Sequence, residues 1–280
     1  LHEREAAGRV LALMGMVLSI GPILAPIVGG LLQANFGWRA SFVFVTAYGL
    51  ALLVLVTAFL GESVRQKDSQ ALKPRRILET ATMLLRSRVF VGYMLINCCL
   101  FGGLGAYLSG IAFVVIEVLG IPAAYFGAVF GVIALGALSG YTLSGRLSTR
   151  LGLDRTLEVG TFGVAAGGVL LAVFAFLGFA HVATLIAPMM VFMCFFSISG
   201  PQAIAGALTP FPRVAGTASS LIGFFQSLTS ASLGMAVALS FDGTPRALAG
   251  FVCVMGLAAL ASYRLIVRRI PEAERRHVHV

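Results

Sequence analysis

Of the 280 residues, 59% are apolar and only 11% charged, and the mean hydropathy is +0.97. A soluble domain carries roughly a quarter charged residues, so this composition excludes one and places the chain in lipid. The net charge of +9 calls for no nucleic-acid partner, because it falls in loops between apolar stretches, where membrane topology alone collects Lys and Arg.

Cutting the chain at charges and turn residues leaves eight apolar spans: residues 10–32, 40–60, 89–118, 123–144, 157–179, 182–208, 214–241 and 247–267. The first holds Ser19-Ile-Gly-Pro-Ile-Leu-Ala-Pro-Ile-Val-Gly-Gly30. Two prolines four residues apart would break a soluble helix, but a membrane helix tolerates them where neighbours cover the freed carbonyls. Gly21, Ala25 and Gly29 recur every four residues and share one face with almost no side chain. A similar face on span four, Gly127, Gly131, Gly136 and Gly140, is expected to pack against it. Gly37-Trp38-Arg39 stands between spans one and two.

Residues 62–88 form a polar spacer. Within it Pro74 is followed by Ile77, Leu78, Ala81, Leu84 and Leu85, a spacing that predicts a short amphipathic helix on the membrane surface. Span three carries Asn97, Tyr107 and Ser109, with Glu117 at its outer end; span four carries Tyr141, span six Gln202, and span seven Gln226 and Ser230. A buried amide needs partners, so Asn97, Gln202 and Gln226 either bond neighbouring helices or face a wet cavity. Glu117 is the acid read as a candidate proton site, against the alternative of a solvated helix end. Between spans four and five stands Gly145-Arg-Leu-Ser-Thr-Arg150-Leu-Gly152-Leu-Asp-Arg155, a tight turn with arginines able to bond helix-end carbonyls or an acid. A basic tail, 268–280, closes the chain.

An even number of spans puts both ends on one side. Of the 20 Lys and Arg, all but Arg39 and Arg246 fall on that side, so both termini are expected in the cytoplasm. Cys98, Cys99, Cys194 and Cys253 lie in spans without metal spacing, and the four histidines lie in loops or tails. No metal site is expected. There is no Gly-Lys-Ser or Gly-Lys-Thr phosphate loop, and no paired acids or nucleophile arrangement that would make an enzyme.

Ala25-Pro26 followed by Gly29-Gly30 resembles motif C of the proton-coupled exporters in the major facilitator superfamily, with Ala25 replacing the usual glycine. Gly21 and Pro22 extend the likeness. Gly145, Arg150, Gly152 and Arg155 resemble motif A, with Thr149 where the acid usually stands. Gly37-Trp38-Arg39, Leu60-Gly61-Glu62-Ser63 and the string from Phe211 to Gln226 are most similar to the bicyclomycin-resistance (Bcr/CflA) exporters. The resemblance implies an all-α polytopic membrane protein of a bacterial inner membrane. It implies proton-driven export of small amphipathic drugs, with the proton gradient as energy source and no cofactor. It further implies that the eight spans are helices five to twelve of a twelve-helix fold. Residues 1–61 would then close the N-terminal bundle, 62–88 link the halves, 89–267 form the C-terminal bundle and 268–280 the tail. Starting without Met on Leu1-His2-Glu3-Arg4, the chain reads as a fragment.

An internal repeat supports this register. A shift of 208 places Ala7, Gly8, Leu13 and Gly15 on Ala215, Gly216, Leu221 and Gly223, and a shift of 207 places Arg39, Ala40, Phe44 and Val45 on Arg246, Ala247, Phe251 and Val252. A transport-dead remnant and an uptake carrier of the same superfamily are the alternatives.

Overall fold

The computed structural model describes residues 28–33, 35–59, 74–122, 125–179, 181–271 and 275. It divides into two compact units, residues 1–76 and 77–280. Among the described residues the secondary structure is helical, with seven helices long and apolar enough to cross a membrane.

In the first unit, residues 28–33 are helical and Gly37 turns the chain at φ +79° into α1 (Trp38–Phe59). The Arg39 guanidinium lies 4.6 Å from the centre of the Trp38 ring, a cation–π pair of the kind found at membrane boundaries. No residue of α1 is buried, and its apolar residues occupy every face, as suits a helix surrounded by lipid or other helices. Gly29 and Gly30 have open space around their Cα atoms. Gly21, Pro22, Ala25 and Pro26 lie outside the described residues.

Proline opens α2 (Pro74–Arg86), where its missing N–H costs nothing. Leu84 is its fully buried residue, while Leu78 stays exposed. This is the predicted amphipathic helix.

Six helices build the second unit: α3 (Arg88–Ala112), continued by a π-helical turn Phe113–Val118, α4 (Phe126–Leu151), α5 (Leu153–Phe176), α6 (Val182–Leu208), α7 (Ala215–Leu239) and α8 (Arg246–Leu265). Pro188 and Pro201 stand inside α6 without ending it, because the packed neighbours supply the constraint that water would not. Helix α4 runs to Leu151, seven residues past its predicted end, and stops only where Gly152 takes φ +78°. Hydropathy marks where lipid ends. The backbone needs a positive-φ residue to stop.

Short connections make successive helices antiparallel, and the pairings reveal an inverted repeat of three helices. Helix α3 packs on α7 as α6 packs on α4; α5 packs on α6 as α8 packs on α3; α3·α6 and α5·α8 are their own counterparts. The seams are closed by glycine. On α3, a Cβ at Gly105 would run into the Ser230 carbonyl of α7; on α4, one at Gly140 would run into the Cys194 carbonyl of α6. Gly136 is likewise occupied, with the Met190 carbonyl 2.5 Å from where its Cβ would sit. This corrects one expectation: two of the four glycines assigned to a seam with span one serve the α4·α6 seam instead. Gly127 and Gly131 have no atom within 4 Å.

Candidate functional site

Antiparallel register sets the centre of the second unit. Tyr93 of α3 meets Gly206 of α6, Phe101 meets Phe196 with ring centres 5.3 Å apart, and Gly103 meets the Phe192 ring. Asn97 lies one turn from both Tyr93 and Phe101 on the same face, which places it opposite the turn of α6 that holds Gln202. Asn97 is 0% exposed and neither its Nδ2 nor its Oδ1 has a hydrogen-bond partner. Ten residues on, about 15 Å along the helix, Tyr107 is 2% exposed, its hydroxyl equally unpartnered, its ring stacked 5.9 Å from that of Phe130 on α4. Each unmade buried hydrogen bond costs about 1–3 kcal/mol.

Gln202 is different. Its Nε2 donates to Ser144 Oγ at 3.2 Å and its Oε1 accepts from Ser148 Oγ at 3.4 Å, while Ser144 donates on to the Ile198 carbonyl at 3.3 Å. Of the two roles open to this amide, the structure realises the bond between helices. Ser109 and Ser230 sit in the α3·α7 seam, against Gly234 and Gly105 respectively. Gln226 is half-buried one turn before Ser230, and Tyr141 is half-buried on α4. The candidates therefore spread over three seams rather than one pocket. Glu117 is exposed in the π-helical turn that ends the third span.

At the arginine-rich end, Gly145, Arg150, Gly152 and Arg155 are all exposed, and Gly152 makes the turn between α4 and α5. Among the described residues neither Arg150 nor Arg155 forms an ion pair. The acids of this loop engage other partners. Asp154 Oδ1 accepts from the Tyr93 hydroxyl at 2.7 Å, its Oδ2 pairs with Arg275 at 2.6 Å, and its backbone carbonyl accepts from the Tyr263 hydroxyl at 3.1 Å. Glu158, one residue inside the predicted fifth span, pairs with Arg264 at 3.4 Å and Arg268 at 3.6 Å. This cluster joins α3, α5 and α8. The family pattern places its acid at position 149, where Thr149 stands here; the acid that bonds neighbouring helices lies five residues later, at Asp154.

No group of His, Cys, Asp or Glu able to hold a metal occurs among the described residues. What the packed six-helix unit holds is unpaired polar chemistry, the amide donor and acceptor of Asn97 and the phenol of Tyr107, each buried among aromatic and aliphatic side chains.

Residues 1–235 match the profile of the Major Facilitator Superfamily. The chain belongs to that superfamily. This facilitator is similar to a bicyclomycin resistance protein homolog of Haemophilus influenzae, 28% identical over 276 residues that cover 96% of this chain and 68% of the relative. It is similar to multidrug resistance protein D of Escherichia coli, 26% identical over 96% of this chain and 67% of the relative. It is also 26% identical to multidrug resistance protein MdtL of Escherichia coli, over 100% of this chain and 69% of the relative. The facilitator thus spans about two thirds of the length of these relatives. Such relatives are what the residues resembling the bicyclomycin-resistance group call for.

Proposed function

We propose that this facilitator exports small amphipathic drug-like molecules from a bacterial cell through the inner membrane, driven by the proton gradient and acting by alternating access. The observation that carries the reading is the six-helix inverted repeat, in a chain similar along nearly its whole length to drug-resistance proteins. Such repeats place the substrate near the bilayer midplane and rock as rigid bodies around it. On this reading the eight predicted spans are the last eight of twelve helices, the seven described spans being the last seven, which agrees with a chain two thirds as long as its relatives, and residues 62–88 link the two bundles. Both termini lie in the cytoplasm with the arginine-rich end. Asn97 and Tyr107 are buried here with hydrogen bonds unmade, and are the groups that a change of access would offer to substrate or water, while Gly29 and Pro26 let the bundles close.

Drug-dye efflux from energised cells lacking their own exporters tests this. In a chain extended to the full length of its relatives, replacing Pro26 or Gly29 by Leu adds bulk where closure needs none, so efflux is expected to be lost at unchanged membrane abundance. Wild-type efflux from either variant would reject the gating role.

Asn97→Leu separates binding from folding. It deletes an amide that has no protein partner, so thermal stability should hold or rise, by about 1 kcal/mol, while efflux drops. A large loss of stability with normal efflux per folded molecule would show that Asn97 serves packing.

A further inference from the structure

A groove of about 720 Å³ opens at the arginine-rich end of the second unit, lined by Arg86, Ser87, Arg88 and Arg269 together with Leu85, Val91, Leu265, Ile266, Ile270 and Pro271. It lies where two spans end together. Arg88 opens the span of α3 and Arg269 closes that of α8, and the helices touch here, Gly92 against Ile266 and Val267. All three arginines are exposed, and among the described residues none of them forms an ion pair. Three guanidiniums sharing one groove repel one another unless an anion sits between them. The rest of the lining is apolar and includes the exposed Leu265, 57% accessible. The groove also takes in the first turn of α3, which Ser87 caps by accepting from the Phe90 N–H.

We propose that this groove binds an anionic phospholipid. The phosphate lies among Arg86, Arg88 and Arg269, where guanidinium forks match phosphate oxygens. The first acyl carbons run along Val91, Leu265 and Ile266 into the crevice between α3 and α8. The volume falls in the range of small-molecule sites, and the groove stands at the depth where headgroup meets hydrocarbon. A free phosphate would use the arginines and leave the apolar lining unexplained; a lipid uses both. The bound lipid fastens α2 to the end of α8, so membrane composition reaches the segment that leads into the six-helix unit. The proposal needs only a membrane-embedded chain and stands whether or not the chain exports drugs.

The test is native mass spectrometry of the full chain in neutral detergent, titrated with phosphatidylglycerol or with phosphatidylcholine of the same acyl length. Phosphatidylglycerol should bind and phosphatidylcholine should not be retained. Each basic residue near an anionic lipid contributes about a fivefold preference, so R88Q/R269Q should weaken phosphatidylglycerol binding roughly thirtyfold. Removing two other exposed charges outside the groove, R146Q/R213Q, should change it less than about twofold. Val91→Trp keeps every charge but fills the lining, and should also weaken binding. If the double variant does not fold, R88Q and R269Q singly replace it, each with about a fivefold loss. Equal losses from both pairs would overturn the proposal in favour of diffuse charge. Displacement by millimolar glycerol 3-phosphate would overturn it in favour of a free-phosphate site, and unchanged binding in Val91→Trp would place the lipid elsewhere.

Discussion

Gly105→Val and Gly140→Val are each expected to destabilise the six-helix unit by about 3 kcal/mol or more. At both positions the obstacle is backbone, the Ser230 carbonyl for Gly105 and the Cys194 carbonyl for Gly140. A side-chain tip could rotate away. A carbonyl moves only if its whole helix does. Helix association in lipid depends on close packing more than on hydrophobic burial, so an extra ångström between axes forfeits contacts along the seam. Alanine by itself gains about 1 kcal/mol over glycine in a helix, which lets four alanine variants decide the sign. Gly127→Ala and Gly131→Ala, with open space around them, should be neutral or stabilising in the isolated unit, while Gly105→Ala and Gly140→Ala should lose stability. Unfolding in mixed detergent micelles gives the ranking, and equal effects at all four sites would show that the seams yield. The inverted repeat adds a constraint, since α3·α7 and α6·α4 are counterparts and should lose similar amounts.

Much of this architecture is legible in the sequence because lipid simplifies the code. A spanning helix need only be long and apolar, so all seven described spans coincide with predicted ones, and Pro188 and Pro201 do not mislead. Helix ends are less legible. The run Arg146 to Arg150 reads as loop by hydropathy, yet Arg146, Leu147 and Arg150 are good helix formers and nothing breaks the backbone before Gly152. Small-residue faces announce close approach without naming the partner, which is why the sequence pairs Gly136 and Gly140 of span four with span one, whereas they lie against α6. Polar residues were found but not sorted. Asn97 and Gln202 look alike as amides inside apolar runs, and only the placement of Ser144 and Ser148, more than 50 residues away in sequence, satisfies one and leaves the other. The same distance hid the Asp154 cluster, whose tyrosine partners stand 61 and 109 residues away.

That cluster carries the other large effect, since Asp154→Ala should cost about 3 kcal/mol although the side chain is 31% exposed. Exposure of the carboxylate is the smaller consideration here, because what the substitution strands is buried: the Tyr93 residue is 2% exposed, and Asp154 Oδ1, 2.7 Å away, accepts the hydrogen bond its hydroxyl donates. Arg275, whose side chain is only 14% exposed, loses its carboxylate at the same time. Hydrogen bonds to a charged acceptor contribute about 1.5–3 kcal/mol, whereas an exposed ion pair contributes less than about 1 kcal/mol. Most of the loss should therefore trace to Tyr93. Tyr93→Phe leaves Asp154 still paired with Arg275 and removes donor and demand together, so it should cost about 1–1.5 kcal/mol. Tyr263 bonds the Asp154 backbone carbonyl rather than the carboxylate, so Tyr263→Phe should add its own loss independently to that of Asp154→Ala. In a double-mutant cycle, Tyr93→Phe with Asp154→Ala should fall short of additivity by at least 1 kcal/mol, while Tyr263→Phe with Asp154→Ala should be additive within about 0.5 kcal/mol. The reverse pattern would mean that the side chain of Asp154 serves the α8 end, and that Tyr93 finds its acceptor elsewhere.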